Sequence, residues 1–324
     1  MPSRISVVIA AYHGERFLGE QLRSIFAQTR APDEILVGDD SEDGATAAVV
    51  ESLRGEFGGT LRCIRNAARL GVVGNFRSLA LQSTGDLIFF SDQDDWWLPE
   101  KIARLSSLLE SVPPHKLLAG CSSLVVNERL ESSGTTVYDA LPATRIEAVI
   151  ADASFDKVRY PRFVVWGHNI CIKRPFLKYF AQIPPDFPVH DIWLSQTAAM
   201  LDALVFTGEV LTLYRVHGGN TSDITAEVHR ESVGENIRRV ARRHDDLPRS
   251  AAMLNALADF ARRNPEVPGK NRQLALRMAR YYNRRMRCRR FWRPFRFLGW
   301  TPSLLCEYFR VGTGWRALMR DLVF

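Results

Sequence analysis

Short apolar runs alternate with amphipathic segments over the first hundred residues. The apolar runs are rich in β-branched and aromatic side chains, which is typical of buried strands, and the segments between them repeat apolar positions at helical spacing. The predicted strands are residues 5–11, 34–38, 61–64 and 87–90. The predicted helices are residues 15–29, 46–53 and 75–82. This alternation predicts a parallel sheet with right-handed crossover helices.

The pattern is less regular farther along the chain. The strands predicted there are residues 117–126, 163–172 and 210–214, and the helices are residues 192–201 and a segment that begins near Pro99. Beyond about residue 223 the strand pattern stops, and the remainder is predicted to be helical. We therefore place the main domain boundary near residue 225.

Charge divides the chain in the same place. Residues 227–324 carry 22 Lys and Arg against 9 Asp and Glu, a net charge of +13, whereas residues 1–226 have a net charge of −6. The most basic stretch, residues 270–296, holds eleven basic residues and no acid, with aromatic residues among them. Such a segment is suited to the phosphates of lipid headgroups or of nucleic acid, or it packs as a helix with solvated arginines.

Composition excludes several classes of protein. With 46% hydrophobic and 24% charged residues, the chain is typical of a globular protein rather than of a disordered one. Five widely spaced cysteines without a Cys-x-x-Cys pair argue against a disulfide framework or a structural zinc site. We find no apolar run near the length of a membrane span and no signal peptide, so the sequence predicts a cytoplasmic protein.

Two acidic clusters follow predicted strands directly. Three carboxylates, Asp92, Asp94 and Asp95, lie within four residues after the strand at 87–90. Like charges so close repel each other unless a cation neutralises them, and carboxylates suit Mg²⁺ or Mn²⁺, which complete their shells with substrate phosphates. The alternative is a capping role for Asp95 at the helix near Pro99. The second cluster, residues 39–43, follows the strand at 34–38. In parallel sheets ligands bind at the carboxyl ends of strands, where both clusters lie.

The motifs in chain order are Ala10-Ala11-Tyr12, Asp39-Asp40-Ser41-x-Asp43, Gly85-Asp86-x-Ile88 and Asp92-x-Asp94-Asp95-x-x-x-Pro99. In this order they resemble glycosyltransferase family 2, a family of inverting, metal-dependent enzymes of the GT-A fold that use nucleotide-diphospho-sugars. The resemblance covers about residues 4–225. It implies an α/β fold with a mostly parallel central sheet flanked by helices, followed by a helical basic C-terminal extension. The motif around Asp92 is most similar to that of bacterial enzymes that build rhamnose-containing surface polysaccharides.

The resemblance also implies roles for individual residues. Asp92 and Asp94 would form the metal-associated Asp-x-Asp motif, and His217 would lie near the metal and the diphosphate. Asp191 stands at the position of the general base. The residues implied to bind the nucleotide-sugar are Ala10, Tyr12, Glu15, Asp40, Asn66, Asn75 and Asp92. The implied cofactor is Mn²⁺ or Mg²⁺.

The expected activity is metal-dependent, inverting transfer of a sugar from dTDP-rhamnose or a UDP-sugar. The acceptor is expected to be a hydroxyl of a glycan or lipid-linked glycan in the synthesis of a surface polysaccharide such as lipopolysaccharide. Residues 1–225 would form the catalytic domain, with a nucleotide-sugar half up to about residue 98 and an acceptor half after it. The basic region, residues 226–324, would associate peripherally with the cytoplasmic face of the inner membrane.

Two other functions compete with this interpretation. A sugar nucleotidyltransferase also has a nucleotide-binding sheet and paired acidic residues. In that class, however, the first strand leads into a Gly-rich loop with basic residues, whereas residues 10–15 of this chain offer one Gly and one acid. A nucleic-acid- or membrane-binding protein would act through the basic region, with a non-catalytic front domain. Against nucleic acid, the negative charge of residues 1–226 repels a polyanion. In structural alternatives, Asp191 caps the helix at 192–201 and His217 is a loop histidine bonded to backbone.

Overall fold

The computed structural model describes residues 2–160, 163–218 and 247–289. The chain forms two compact units, Met1–Val228 and His229–Phe324.

The first unit is built on one mixed sheet. Its strands are β1 (Ile5–Ala11), β2 (Glu34–Asp39), β3 (Thr60–Arg65), β4 (Leu87–Ser91), β5 (Trp96–Trp97), β6 (Leu118–Val126), β7 (Ser132–Thr136), β8 (Ile170–Lys173) and β9 (Leu204–Arg215). They lie in the order β3-β2-β1-β4-β8-β6-β9-β5, and β7 pairs with β6.

Helices connect these strands. In the first unit they are α1 (Leu18–Phe26), α2 (Ala45–Leu53), α3 (Gly71–Gln82), α4 (Lys101–Ser111), α5 (Ala143–Ala151), α6 (Phe155–Val158), α7 (Leu177–Phe180) and α8 (His190–Met200). In the second unit they are α9 (Leu247–Arg263) and α10 (Gly269–Arg289). The α/β fold class predicted from the alternating pattern is confirmed.

Strands β3, β2, β1 and β4 run parallel, as the sequence predicted. The register pairs Ala11 with Asp39, and Ile9 with Ser91. Strands β1, β2 and β4 therefore end at the same edge of the sheet, and the segments that follow them converge there. Beyond β4 the sheet is more mixed than expected, because β8 is antiparallel to both β4 and β6 while β6 and β9 are parallel.

The core lies on the two faces of this sheet. Strand β1 alternates sides, and its residues Val7, Val8 and Ile9 are all fully buried, as expected for a parallel strand covered by helices on both faces. Helix α1 contributes Leu18, Leu22 and Ile25 to the same core. Burial of an apolar side chain stabilises the fold by roughly 1.5–3 kcal/mol, so this packing fixes where β1, β2 and β4 end.

The prediction of a strand over residues 163–172 is partly wrong. Only the end of this segment pairs in the sheet, as β8, and Gly167–Asn169 is a 3₁₀ turn. Before the turn, the backbone of Val165 bonds to helix α8 instead of to a strand: its N–H donates to Ser195 Oγ at 3.0 Å, and its carbonyl accepts from the same hydroxyl at 3.1 Å. The hydrophobic pattern of residues 163–166 therefore reflects burial without β-pairing.

In the second unit, α9 packs along α10. Asn255 and Asn283 exchange two side-chain hydrogen bonds between these helices, and Tyr281 is fully buried. The solvent side of α10 exposes Lys270, Arg277, Arg280 and Arg287, which are spaced by seven, three and seven residues and therefore lie along one side of the helix. Among the described residues, no helix is both long and apolar enough to cross a membrane.

Candidate active site

The segment after β1 is clasped to the segment after β4. The backbone N–H of Tyr12 donates to Gln93 Oε1 at 2.8 Å, and Gln93 Nε2 donates to the carbonyl of Tyr12 at 3.1 Å. The Tyr12 ring is 40% exposed, and the guanidinium of Arg69 lies 3.7 Å from its centroid. An aromatic ring with a cation stacked over it is thus presented at the edge where the parallel strands end.

A polar network lies beside it at the end of β2. Asp40 Oδ1 accepts hydrogen bonds from Asn66 Nδ2 at 2.7 Å and from the backbone N–H of Leu70 at 3.1 Å. Asn66 Nδ2 also lies 3.3 Å from Asn75 Oδ1, and Asn75 Nδ2 donates to the carbonyl of Gly38 at 2.8 Å. The structure thus brings together three of the residues that the sequence assigned to the nucleotide-sugar.

Two other residues of that assignment are placed differently. Ala10 lies in β1 opposite Gly38, directly beside the network. Glu15 is exposed in the turn before α1 and makes no hydrogen bond with another described residue. Its assigned role stays a prediction.

The structure joins Asp94 to His217. Asp94 Oδ2 lies 2.9 Å from His217 Nε2, and the imidazole ring packs on Phe17 with 4.8 Å between centroids. The sequence separation of 123 residues is bridged because β9 runs toward the edge where β4 ends. His217 is thus bonded to a carboxylate side chain, which the alternative of a loop histidine bonded to backbone did not include.

Asp92 faces a different histidine. Its Oδ2 lies 3.5 Å from Nδ1 of His168, and Asp95 Oδ2 lies 3.7 Å from the same nitrogen. His168 and Asp95 are buried, whereas the Asp92 side chain is 38% exposed. Asp92, Asp95 and His168 together place two carboxylates and one imidazole close enough to hold a metal ion. Asp95 Oδ2 is buried without a hydrogen-bond partner, which fits a group built to meet a cation.

The electrostatics of this cluster follow from its burial. Burial, together with the neighbouring carboxylates of Asp94 and Asp92, raises the pKa of Asp95 to about 7 against the opposing charges of His168 and Lys101. Burial also acts to raise the pKa of Asp92, but His168 outweighs it and holds that pKa below its usual value. Burial acts to lower the pKa of His168, but the carboxylates of Asp95 and Asp92 outweigh the effect of burial, so the pKa is raised. A positive charge is therefore stabilised at this position.

Arg215 holds residues 92–95, the acidic segment, in place. Its Nε donates to the carbonyl of Asp94 at 2.8 Å, and its backbone N–H donates to Asp95 Oδ1 at 3.2 Å. Its remaining guanidinium nitrogens reach the carbonyl of Glu128 and the carboxylate of Glu20. The side chain of Arg215 is 1% exposed.

The alternative in which Asp95 caps the helix near Pro99 is wrong. Helix α4 begins at Lys101, and its N-terminus has no side-chain cap.

Asp191 lies in the first turn of α8. Its Oδ1 accepts the backbone N–H of Ile192 at 2.6 Å, so the carboxylate bonds to the helix start without being the N-cap, which is Val189. Burial raises the pKa of Asp191 to about 6, the charge of Asp92 adds to the rise, and the Ile192 N–H opposes it. A carboxylate with this pKa is mainly ionised at neutral pH and able to accept a proton.

Much of the chain that forms this site matches a known protein family. Residues 6–118 match the family model described as glycosyl transferase family 2. This stretch contains β1, β2, β4 and the whole acidic segment. Residues 6–118 are a family 2 glycosyltransferase domain.

Curated relatives extend the likeness beyond that domain. The chain is 25% identical over 219 residues to WfaP of Escherichia coli, a UDP-Glc:α-D-GlcNAc-diphosphoundecaprenol β-1,3-glucosyltransferase, covering 67% of this chain and 79% of WfaP. It is 32% identical over 98 residues to the dTDP-rhamnosyl transferase RfbG of Shigella flexneri, covering 29% of this chain and 34% of RfbG. The chain spans 33% and 51% of the lengths of two further relatives that it matches.

The fold has solved counterparts. The mannosyltransferase PcManGT from Pyrobaculum calidifontis, solved with GDP-Man and Mn²⁺, superposes with a TM-score of 0.55 at 16% identity, covering 98% of this chain and 79% of that one. The GT-A fold expected from the motifs is thereby confirmed. At this identity the likeness concerns the fold alone.

Within the family 2 domain and the strands that follow it, several site residues escaped the sequence analysis. Arg69 and Gln93 act on Tyr12, and no pattern marks them. Arg215 stands two residues before His217, and its position at the end of a strand is the signal that could have found it. His168 packs against Tyr214 and faces the acidic segment.

Proposed function

We propose that this chain is a metal-dependent, inverting glycosyltransferase that takes its sugar from a nucleotide-diphospho-sugar. The observation that carries the proposal is the meeting of Asp94 and His217 at the sheet edge where β1, β2 and β4 end. An anionic donor needs cationic charge at its diphosphate, and this acidic segment can supply it through a divalent ion. Family 2 membership and the glycosyltransferase relatives support the same activity.

The nucleotide would bind over the ends of β1 and β2. Tyr12 is 40% exposed and carries the guanidinium of Arg69 over its ring, so this aromatic–cation pair would contact the base. Asp40 offers a carboxylate held by Asn66, and Asn75 fixes both against the backbone of Gly38. Carboxylate oxygens accept hydrogen bonds from a base N–H or ribose hydroxyls. We propose dTDP-rhamnose or a UDP-sugar as donor, because the relatives RfbG and WfaP are named for dTDP-rhamnose and UDP-Glc.

We assign the divalent ion, Mn²⁺ or Mg²⁺, to Asp92, Asp94 and His217. Two carboxylates and an imidazole suit such an ion chemically. The structure supports Asp94 and His217 as a pair at 2.9 Å, whereas it groups Asp92, which is 38% exposed, with Asp95 and His168. The ion would stabilise the negative charge that builds on the leaving diphosphate as the anomeric bond breaks. Arg215 holds the backbone carbonyl of Asp94, so the segment keeps its geometry while the donor binds.

Asp191 would act as the general base. The acceptor hydroxyl must lose a proton as it attacks the face of the sugar opposite the leaving group, and the product then has the inverted anomeric configuration. A carboxylate with a pKa of about 6 is ionised at neutral pH and basic enough to assist that transfer. We propose a hydroxyl of a glycan or lipid-linked glycan as acceptor, in the synthesis of a surface polysaccharide.

Nucleotide binding tests the proposal directly. Thermal unfolding is measured with UDP, dTDP and GDP, each with and without Mn²⁺, for the native chain, Asp94→Asn and the control Glu110→Gln, whose carboxylate pairs with Arg30. A nucleotide at 100 times its dissociation constant stabilises the protein by about 2.7 kcal/mol. We expect UDP or dTDP to raise the midpoint with Mn²⁺, in the native chain and in Glu110→Gln. Asp94→Asn is expected to lose the shift.

The absence of a shift with all three nucleotides would contradict a transferase function. A shift that persists without metal, or in Asp94→Asn, would contradict the assigned role of the ion. Either result is readable independently of the sugar and the acceptor.

The pKa of Asp191 predicts the acid side of the pH profile. Because the base must be ionised, kcat/KM should rise with pH and level off above about pH 6, falling about tenfold per pH unit below it. Asp191→Asn should lower kcat by a factor of roughly 10²–10⁴ while donor binding persists. The check is a pH series of transfer rates with a nucleotide-binding titration of the variant. An Asp191→Asn enzyme with native kcat would rule out this assignment.

We further propose that the exposed basic side of α10 docks on an anionic membrane surface. Lys270, Arg277, Arg280 and Arg287 lie along one side of the helix, and no acid occurs between residues 270 and 296. A helix of 18 residues over this span is about 26 Å long, so these charges reach several headgroups at once. Peripheral binding to the cytoplasmic face would bring the site to a lipid-linked acceptor.

Vesicle sedimentation checks this docking. Replacing the four basic residues by Gln in the full chain should weaken binding to phosphatidylserine vesicles by roughly several hundredfold, at about fivefold per residue. The matched control replaces four exposed, ion-paired arginines of the first unit by Gln: Arg16, Arg23, Arg54 and Arg104. Equal loss in both variants would attribute binding to net charge. Binding to RNA or DNA without vesicle binding would favour the nucleic-acid alternative.

A further inference from the structure

The distances from His168 to its carboxylates are longer than the distance from His217 to Asp94. The His217–Asp94 separation of 2.9 Å is that of a direct hydrogen bond. His168 Nδ1 instead lies 3.5 Å from Asp92 Oδ2 and 3.7 Å from Asp95 Oδ2, both longer than the usual N–H···O separation. Ligands held at about 2.0–2.2 Å by one ion are roughly 2.8–3.8 Å apart when they subtend 90–120° at it. The two distances from His168 Nδ1 fall within this range, and the ligand atoms of Asp92, Asp95 and His168 all lie within 4.8 Å of one another.

From this spacing and from the unpartnered carboxylate oxygen of Asp95, we infer that Asp92, Asp95 and His168 form a second divalent-cation site, separate from the ion assigned to Asp94 and His217. Asp92 lies at the exposed border of the cluster and is shared by both assignments. One imidazole and two carboxylates suit a divalent transition ion such as Mn²⁺. This site is not needed for the proposed transferase function, so it can be tested without a sugar donor.

The buried carboxylate of Asp95 supports the site independently. Asp95 is fully buried, Oδ1 accepts the N–H of Arg215, and Oδ2 has no hydrogen-bond partner although it points into the cluster. Lys101 Nζ donates to the carbonyl of His168 at 2.6 Å and to Thr212 Oγ1 at 2.7 Å, and it makes no hydrogen bond to Asp95 Oδ2. A buried carboxylate oxygen without a partner costs free energy that a bound cation removes.

The surroundings of His168 hold its ring for this task. Nε2 lies 2.7 Å from Ser123 Oγ, which also accepts a hydrogen bond from Asn169 Nδ2 at 2.7 Å. A hydroxyl oxygen has two lone pairs, so Ser123 can accept from both groups. With the proton on Nε2, the lone pair of Nδ1 faces the two carboxylates. The imidazole ring of His168 stacks on the ring of Tyr214, with 5.0 Å between centroids. Metal-binding histidines in general are oriented by such a partner on the other nitrogen.

Counting bound ions tests the inference. The full chain is dialysed against Mn²⁺ alone, and free Mn²⁺ is measured by electron paramagnetic resonance. We expect two saturable ions per native chain, one in His168→Gln and one in His217→Gln. The control His115→Gln, which alters an exposed histidine outside both clusters, should bind two. Circular dichroism melts of each variant establish that it is folded.

A milder variant guards against loss of folding. Ser123→Ala leaves all three ligands in place and should weaken one of the two ions by about 10–100-fold. Native ion counts and affinities in both His168→Gln and Ser123→Ala would overturn the second site. So would a single ion in the native chain that either histidine variant abolishes. Failure of nucleotide binding in the separate thermal experiment would leave these counts unaffected, so the two proposals fail separately.

Discussion

Everything at this site depends on three carboxylates crowded into four residues after a fully buried strand. Asp92, Asp94 and Asp95 would repel each other, and the fold meets each with its own positive or polar partner. Two of these partners, Arg215 and His217, come from the end of β9, more than a hundred residues away. The sheet order matters because it carries β9 to the edge where β4 ends. The acidic segment therefore ties the nucleotide half of the sheet to the rest of the unit.

In this arrangement the carboxylate of Asp95 depends on a bound cation for its missing partner. Asp95 has a pKa of about 7, and its Oδ2 has no hydrogen-bond partner. A site of this kind is stabilised by a cation, and a cation in turn attracts an anionic diphosphate. Binding of ion and donor should therefore be coupled. The Tyr12–Gln93 clasp adds a mechanical link, because the segment that faces the base is bonded to the segment that carries the acids.

Much of this could be predicted from the sequence. The strands and helices of residues 5–90 follow their hydrophobic periods, and burial on both faces of a parallel sheet enforces them. Asp94 and His217 were paired only through family resemblance, and the structure places them in contact. His168 could not be assigned from the sequence, because its role comes from a 3₁₀ turn in a segment whose hydrophobic pattern predicts a strand. Lys101 and Ser123 likewise acquire partners only through tertiary packing.

The coupling of ion and nucleotide is the most direct test of the central claim. Calorimetric titration measures the affinity for Mn²⁺ with and without the nucleoside diphosphate that binds, and the affinity for that nucleotide with and without Mn²⁺. Thermodynamic linkage requires both affinities to change by the same factor. We predict a factor of about 5–150, the usual range for coupled sites, and its loss in Asp94→Asn. Independent binding, with affinities unchanged by the partner ligand, would contradict an acidic segment that holds the donor through a cation.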